Sequence, residues 1–147
     1  MNLFFDSSAV IKLFHKEHGT ERLRQLLLDS TRQPHVSELA RLEFYSTLYR
    51  LRREKNVGHR GLVTAFEKFE AEWSSYSVEP LGTLVTQEAI ALLKEFGEAH
   101  GLRTLDALHL ATFVLLAEED WIFVVADSRL AEIARKRGFQ VFNPLES

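Results

Sequence analysis

The 147-residue sequence contains no cysteine and only three prolines. The absence of cysteine excludes disulfides, zinc sites built on thiolates, and a cysteine nucleophile. No apolar run approaches the ~18 residues that a membrane-spanning helix requires. The N-terminus also lacks the basic segment followed by an apolar one that marks a secretory signal. From these absences we expect a cytoplasmic protein that does not associate with a membrane.

An excess of basic charge is missing as well. The formal net charge is −3, which argues against a general basic coat for nucleic acid but leaves a local basic patch open. The hydrophobic share of 46% and the charged share of 27% are those of an ordinary globular protein. At this length one domain is expected, and we assign residues 1–147 to it.

Apolar runs typical of buried strands alternate with helical patterns along the chain. Residues 3–5 and 121–126 are the clearest strands, and the second is apolar on both faces, as a central parallel strand should be. Shorter strands are indicated at 35–37 and 139–142, and at 76–84 an edge strand or a connector. Helical spacing follows residue 7 and recurs over 20–29, 38–55, 59–74, 86–100, 105–118 and 129–137. This order predicts an α/β fold with a central, mostly parallel sheet flanked by helices, and rich in helix.

Two acidic residues share one context, because each follows an apolar strand and precedes a helix. They are Asp6 and Asp127. In a parallel sheet both carboxylates would lie at the carboxyl edge, where ligands bind in folds of this class. We expect Ser7 or Ser8 to cap the first helix.

Two further acids lie on helices. Glu43 stands among apolar residues, which predicts an inward or half-buried position, and Asp106 lies in the first turn of a helix that Thr104 is expected to cap. A carboxylate in a first turn is stabilised by the helix dipole by about 0.3–1 kcal/mol. Each acid taken alone is compatible with a role as a cap, a turn residue or an ion-pair partner. Together with Asp6 and Asp127 they indicate a site.

Four carboxylates in one pocket repel one another, and burial makes their charged forms less favourable still. A hard divalent cation removes this conflict, and Mg²⁺ or Mn²⁺ prefers oxygen ligands. Such an ion can activate a water molecule and neutralise charge on a phosphodiester. His109 lies three residues after Asp106, and we expect it to be hydrogen-bonded at the edge of the core rather than to bind metal.

The order of these motifs closely resembles the PIN-domain family, and in particular the VapC-type ribonuclease toxins of toxin–antitoxin pairs. The resemblance lies in Asp6-Ser7-Ser8-Ala9-Val10, Glu43 in a long helix, the stretch 105–111 (LDALHLA), and Ala126-Asp127-Ser128-Arg129-Leu130. It covers essentially the whole chain. The sequence departs from many members at Val125, where a threonine stands two residues before the last acid.

The resemblance implies a Mg²⁺- or Mn²⁺-dependent endoribonuclease that forms a homodimer and is inhibited by a cognate VapB-like antitoxin. By motif match, the metal-binding and catalytic acids are Asp6, Glu43, Asp106 and Asp127, and Ser7 or Ser8 supplies a hydroxyl near the first acid. Glu38 is a weaker candidate than Glu43.

Basic residues concentrate at the end of one helix and the start of the next, and we expect Arg52 and Arg53 to guide RNA. A solvated helix end explains the same cluster equally well. Two other functions stay open: a PIN-domain nuclease of RNA processing with no antitoxin, and a PIN-like binding module without catalysis.

Overall fold

The structure is a computed structural model that describes residues 1–30 and 32–146. Five parallel strands form one sheet in the order β3-β2-β1-β4-β5. The strands are β1 (Asn2–Phe5), β2 (His35–Ser37), β3 (Ser77–Glu79), β4 (Trp121–Val124) and β5 (Gln140–Phe142). The predicted α/β class with a parallel sheet is confirmed, and the stretch 76–84 contains the edge strand β3.

Seven helices occupy the connections between the strands in the described residues. They are α1 (Ser7–Phe14), α2 (Thr20–Asp29), α3 (Leu39–Arg53), α4 (His59–Trp73), α5 (Thr83–His100), α6 (Thr104–Leu116) and α7 (Ser128–Lys136). Across the described residues, no helix combines the length and the apolar character needed to cross a membrane.

Strand β1 lies at the centre of the sheet because its residues are apolar on both faces. Phe4 packs on one face with α5, α6 and α7, while Leu3 and Phe5 pack on the other with α1 to α4. All three side chains are buried. Strand β4 runs beside β1, with Phe5 opposite Val124. The chain segments that leave these two strands therefore emerge side by side at one edge.

Four helices begin at residues other than those predicted, and the starts of α3 and α7 differ by only one residue each. Helix α5 starts at Thr83 rather than Thr86, since Val85 is already buried and lies one turn before the buried Ala89. In α6, Arg103 occupies the N-cap position rather than Thr104, and its side chain makes no capping hydrogen bond. None of these four shifts moves Asp6, Glu43, Asp106 or Asp127 from the helix or strand–helix junction where the sequence places it.

Candidate active site at the carboxyl edge of the sheet

The ends of β1 and β4 form the floor of the candidate site. The backbone N–H of Asp6 donates to the carbonyl of Val124 over 2.9 Å, so the ladder between the strands continues one residue beyond them. On the other strand, the N–H of Ala126 donates to the Ser8 hydroxyl over 2.9 Å. These bonds hold the two strand–helix junctions next to each other.

Asp6 is 2% exposed, and its two carboxylate oxygens have different surroundings. Oδ2 accepts from the backbone N–H of Ser8 over 3.0 Å and from the Ser8 hydroxyl over 2.5 Å. Oδ1 is buried and has no hydrogen-bond partner in the described residues. A buried carboxylate oxygen without a partner is unfavourable unless a cation or a donor binds it.

Both strand-end acids are helix caps. Asp6 occupies the N-cap of α1, so the predicted serine cap is wrong: Ser7 and Ser8 are the first two helical residues. Asp127 occupies the N-cap of α7, and its Oδ1 accepts from the N–H of Leu130 over 3.0 Å. An aspartate satisfies the free N–H groups of a first turn as well as serine does.

Asp106 lies in the first turn of α6 and faces the strand-end acids. Burial is the main effect that raises its pKa to about 6, and the negative charges of Asp6 and Asp127 raise it further. Its carboxylate is therefore electrostatically coupled to both. Three of the four predicted acids come together.

Glu43, on α3, is held by a different partner. Its Oε1 is hydrogen-bonded to Nε2 of His109, which is buried on α6. Burial lowers the pKa of His109, but the charges of Asp6, Glu43 and Asp106 and the hydrogen bond to Glu43 outweigh it and raise that pKa overall. Nδ1 of His109 has no partner in the described residues. The prediction of a hydrogen-bonded histidine at the core is thus confirmed.

A cavity of about 370 Å³ opens above the three aspartates. Its other polar walls are Ser7, Ser8, Lys12, Glu17, Thr47 and Arg50. Glu43 and Asp106 line an adjoining cavity with Arg103. Asp106 belongs to both cavities, so it joins Glu43 to the aspartate group.

The donor set suits a hard cation, since it consists of carboxylate oxygens and one of them is buried and unpartnered. As placed, no three histidine, cysteine, aspartate or glutamate side chains within 1–30 and 32–146 are grouped so that they could hold an ion. Coordination of an ion therefore requires the carboxylates to approach one another.

The remaining predicted residues lie at varied distances from this cavity. Arg52 and Arg53 are exposed and are absent from the cavity wall, which Arg50 reaches instead. Glu38 accepts from the N–H of Leu81 over 2.8 Å, far along the sheet towards β3. Val125 is buried in the core on the α5–α7 side.

Sequence reasoning missed Lys12, Glu17 and Thr47 in the cavity wall. For Lys12 a signal exists, because it is a lysine inside the apolar run 9–14, four residues after Ser8. Residues four apart lie on one helix face, so Lys12 shares the face of Ser8. For Glu17 and Thr47 we find no such signal.

Comparisons with known proteins agree with this architecture. The PIN domain family model matches residues 3–136. Ribonuclease VapC47 of Mycobacterium tuberculosis is 33% identical over 143 residues, which cover 97% of this chain and 96% of the relative. Ribonuclease VapC45 of the same species is 30% identical over 139 residues, covering 95% and 93%. A toxin–antitoxin complex from Klebsiella pneumoniae contains a similar fold, with a TM-score of 0.68, 17% identity, and coverage of 99% of this chain and 100% of that one.

A five-stranded parallel sheet with aspartates gathered at its carboxyl edge defines the class of protein: an α/β domain whose site is built from strand-end acids. The chain belongs to the PIN-domain family, and its relatives place it among the VapC-type members.

Proposed function

We propose that this protein is a metal-dependent endoribonuclease and the toxin of a type II toxin–antitoxin pair, acting as a single domain in the cytoplasm. One observation carries the proposal: Asp6, Asp106 and Asp127 line one cavity, and the charges of the other two raise the pKa of Asp106. The relatives named as VapC ribonucleases support the reaction class.

The proposed cofactor is Mg²⁺ or Mn²⁺, bound by Asp6, Asp106 and Asp127 with Glu43 as the fourth acid. When bound, the ion would activate a water molecule and neutralise charge on the phosphodiester. Asp6 contributes its unpartnered Oδ1, while Ser8 keeps Oδ2 engaged and fixes the carboxylate in place. His109 orients Glu43 towards the site.

The reaction is tested by incubating the protein with single-stranded RNA and Mn²⁺. We expect cleavage by the wild type and none above background by Asp106→Asn. A matched control is Asp29→Asn, which neutralises an exposed aspartate at the end of α2, outside the cavity. Cleavage by Asp106→Asn at the wild-type rate would refute the proposed active site.

The cofactor is tested by thermal unfolding with and without Mn²⁺. An ion that binds only the folded state stabilises it by about 2.7 kcal/mol at a hundred times its Kd. We expect Mn²⁺ to raise the Tm of the wild type and of Asp29→Asn. It should raise the Tm of Asp6→Asn much less. An equal rise in all three would assign the ion to another site.

The proposed partners are an antitoxin and a second copy of the chain. One apolar side chain stands at the site: Leu105 is 46% exposed and lines the cavity that Glu43 and Asp106 share. Exposed apolar surface beside a site favours a protein that covers it. The fold match to a toxin–antitoxin complex supports an antitoxin.

Inhibition tests the antitoxin proposal. If a basic side chain of the antitoxin displaces the ion, excess Mg²⁺ should oppose inhibition by the product of a small neighbouring gene. Inhibition that does not respond to Mg²⁺ would indicate a steric block instead. Gel filtration of the toxin alone tests the homodimer.

We propose that bound RNA runs over Arg52 and Arg53, which are exposed at the end of α3. We call this path the RNA track. Reversing both charges, as Arg52→Glu with Arg53→Glu, should weaken RNA binding and reduce its salt dependence. Unchanged binding and salt dependence would remove these two residues from the track.

A further inference from the structure

Lys12 is an unusual component of the acidic cavity. It lies on α1, and its side chain is only 10% exposed. Lysine is almost never buried unless it is paired. Here the pairing partner is Glu17, whose Oε2 lies 2.7 Å from Nζ of Lys12. Both residues line the same cavity as the three aspartates.

The turn between α1 and α2 holds Glu17 in this position. The N–H of Glu17 donates to the Thr20 hydroxyl over 2.9 Å, and that hydroxyl donates to the carbonyl of Lys12 over 2.8 Å. Thr20 is buried, and Gly19 adopts a φ of +94°, which allows the chain to fold back. Backbone and side chain of Lys12 are thus both fixed by the turn.

The charges that line the cavity indicate a role for the Lys12–Glu17 pair. Four carboxylates line it, those of Asp6, Asp106, Asp127 and Glu17, against the cations of Lys12 and Arg50. An RNA phosphate that enters an acidic cavity needs cations besides the metal ion. Arg50 is exposed, so Lys12 is the buried cation that the chain itself supplies.

We propose that Lys12 contacts a phosphate of the bound RNA strand and that Glu17 is a positioning residue, holding the ammonium group in the cavity until RNA arrives. This inference rests on the proposed ribonuclease function. Glu17 competes with the phosphate for Lys12, so its charge opposes RNA binding while its hydrogen bonds keep Lys12 in place. Lys12 thereby adds a substrate contact to the four acids.

The test measures binding of a labelled single-stranded RNA of mixed sequence in Ca²⁺, over a series of salt concentrations, with the RNA checked for integrity. Loss of one phosphate contact on a single strand lowers the salt slope by about 0.7. We expect Lys12→Met to show this reduction and to bind about tenfold more weakly. The matched control is Lys16→Met, an exposed lysine in the same turn, which should keep the wild-type slope.

Glu17→Gln provides a second test. Unlike Lys12→Met, it does not place a different side chain at a buried position. It should bind RNA about two- to threefold more tightly, because a competing negative charge is removed. A purely structural role for the Lys12–Glu17 pair predicts a lower Tm for Glu17→Gln with no change in RNA affinity, and that result would overturn the inference.

The two proposals fail in different ways. If the wild type binds and cleaves RNA while Lys12→Met keeps the affinity and slope of Lys16→Met, the role of Lys12 is wrong and the ribonuclease proposal stands. If the wild type neither binds nor cleaves RNA, the ribonuclease proposal is wrong and the role of Lys12 falls with it.

Discussion

The junctions that carry Asp6 and Asp127 look alike in sequence and differ in structure. In both, an apolar stretch precedes an aspartate, a serine follows, and the aspartate caps the next helix. Asp6 is buried with one oxygen unpartnered, whereas Asp127 is only partly buried. Similar local sequence therefore fixes the place of each carboxylate but not its environment.

One part of the difference arises from Ser8. Helices cover both faces of β1 and of β4, so the position of the two strands in the sheet does not distinguish Asp6 from Asp127. Ser8 then links Asp6 to Ala126 on the neighbouring strand. Ser128, which follows Asp127, is exposed. We infer that Asp6 depends most on an ion, and four predictions test this comparison.

The largest expected effect is on cleavage. Asp6→Asn should lower the rate of Mn²⁺-dependent RNA cleavage on the order of a thousandfold, and Asp127→Asn on the order of a hundredfold, within the range for loss of one charged group in an active site. Initial rates at saturating RNA measure both. Equal losses, or a larger loss for Asp127→Asn, would contradict the ranking that burial predicts.

The second prediction concerns Glu43, which already has a partner in His109. Glu43→Gln should reduce cleavage about tenfold to a hundredfold, less than Asp6→Asn, because an amide oxygen still accepts from the imidazole while the charge is lost. Glu38→Gln on the neighbouring turn is the control and should retain wild-type activity. If Glu43→Gln matches the wild type, the Glu43–His109 contact serves structure alone.

The sequence predicts the sheet and the place of the acids because both depend on local patterns. The apolar runs of β1 and β4 and the helical spacing between them suffice to bring Asp6 and Asp127 to one edge. The Glu43–His109 contact is not local, since 66 residues separate the two. Side-chain pairing between α3 and α6 depends on how the helices pack, which periodicity does not define.

Lys12 and Arg50 illustrate the same limit. The position of Lys12 on the face of Ser8 can be deduced from spacing, but its pairing with Glu17 depends on the fold of the turn between α1 and α2. The sequence alone shows that basic residues concentrate at the end of α3. Only the packed structure shows that Arg50 lies in the cavity wall while Arg52 and Arg53 lie outside it.

The third prediction concerns Ser8, whose hydroxyl links the two strand–helix junctions. Ser8→Ala removes a donor to Asp6 and leaves the partly buried N–H of Ala126 without its acceptor, which should cost about 1–3 kcal/mol in the free energy of unfolding. Ser128→Ala should change it by less than about 0.5 kcal/mol, as is usual at the surface. Urea denaturation measures both, and similar values would show that the serine bridge contributes no stability.

The smallest expected effect concerns Asp127, which both caps α7 and carries a negative charge at the site. Asp127→Ala removes the acceptor for the N–H of Leu130 and should destabilise α7 by about 1 kcal/mol, whereas asparagine caps as well as aspartate and should cost only a few tenths. Urea denaturation of the two variants measures the cap alone. Because Asp127→Asn keeps the cap and loses the charge, its loss of cleavage then reports the charge by itself. Should Asp127→Asn destabilise as much as Asp127→Ala, the two tasks of this residue are not separable by substitution.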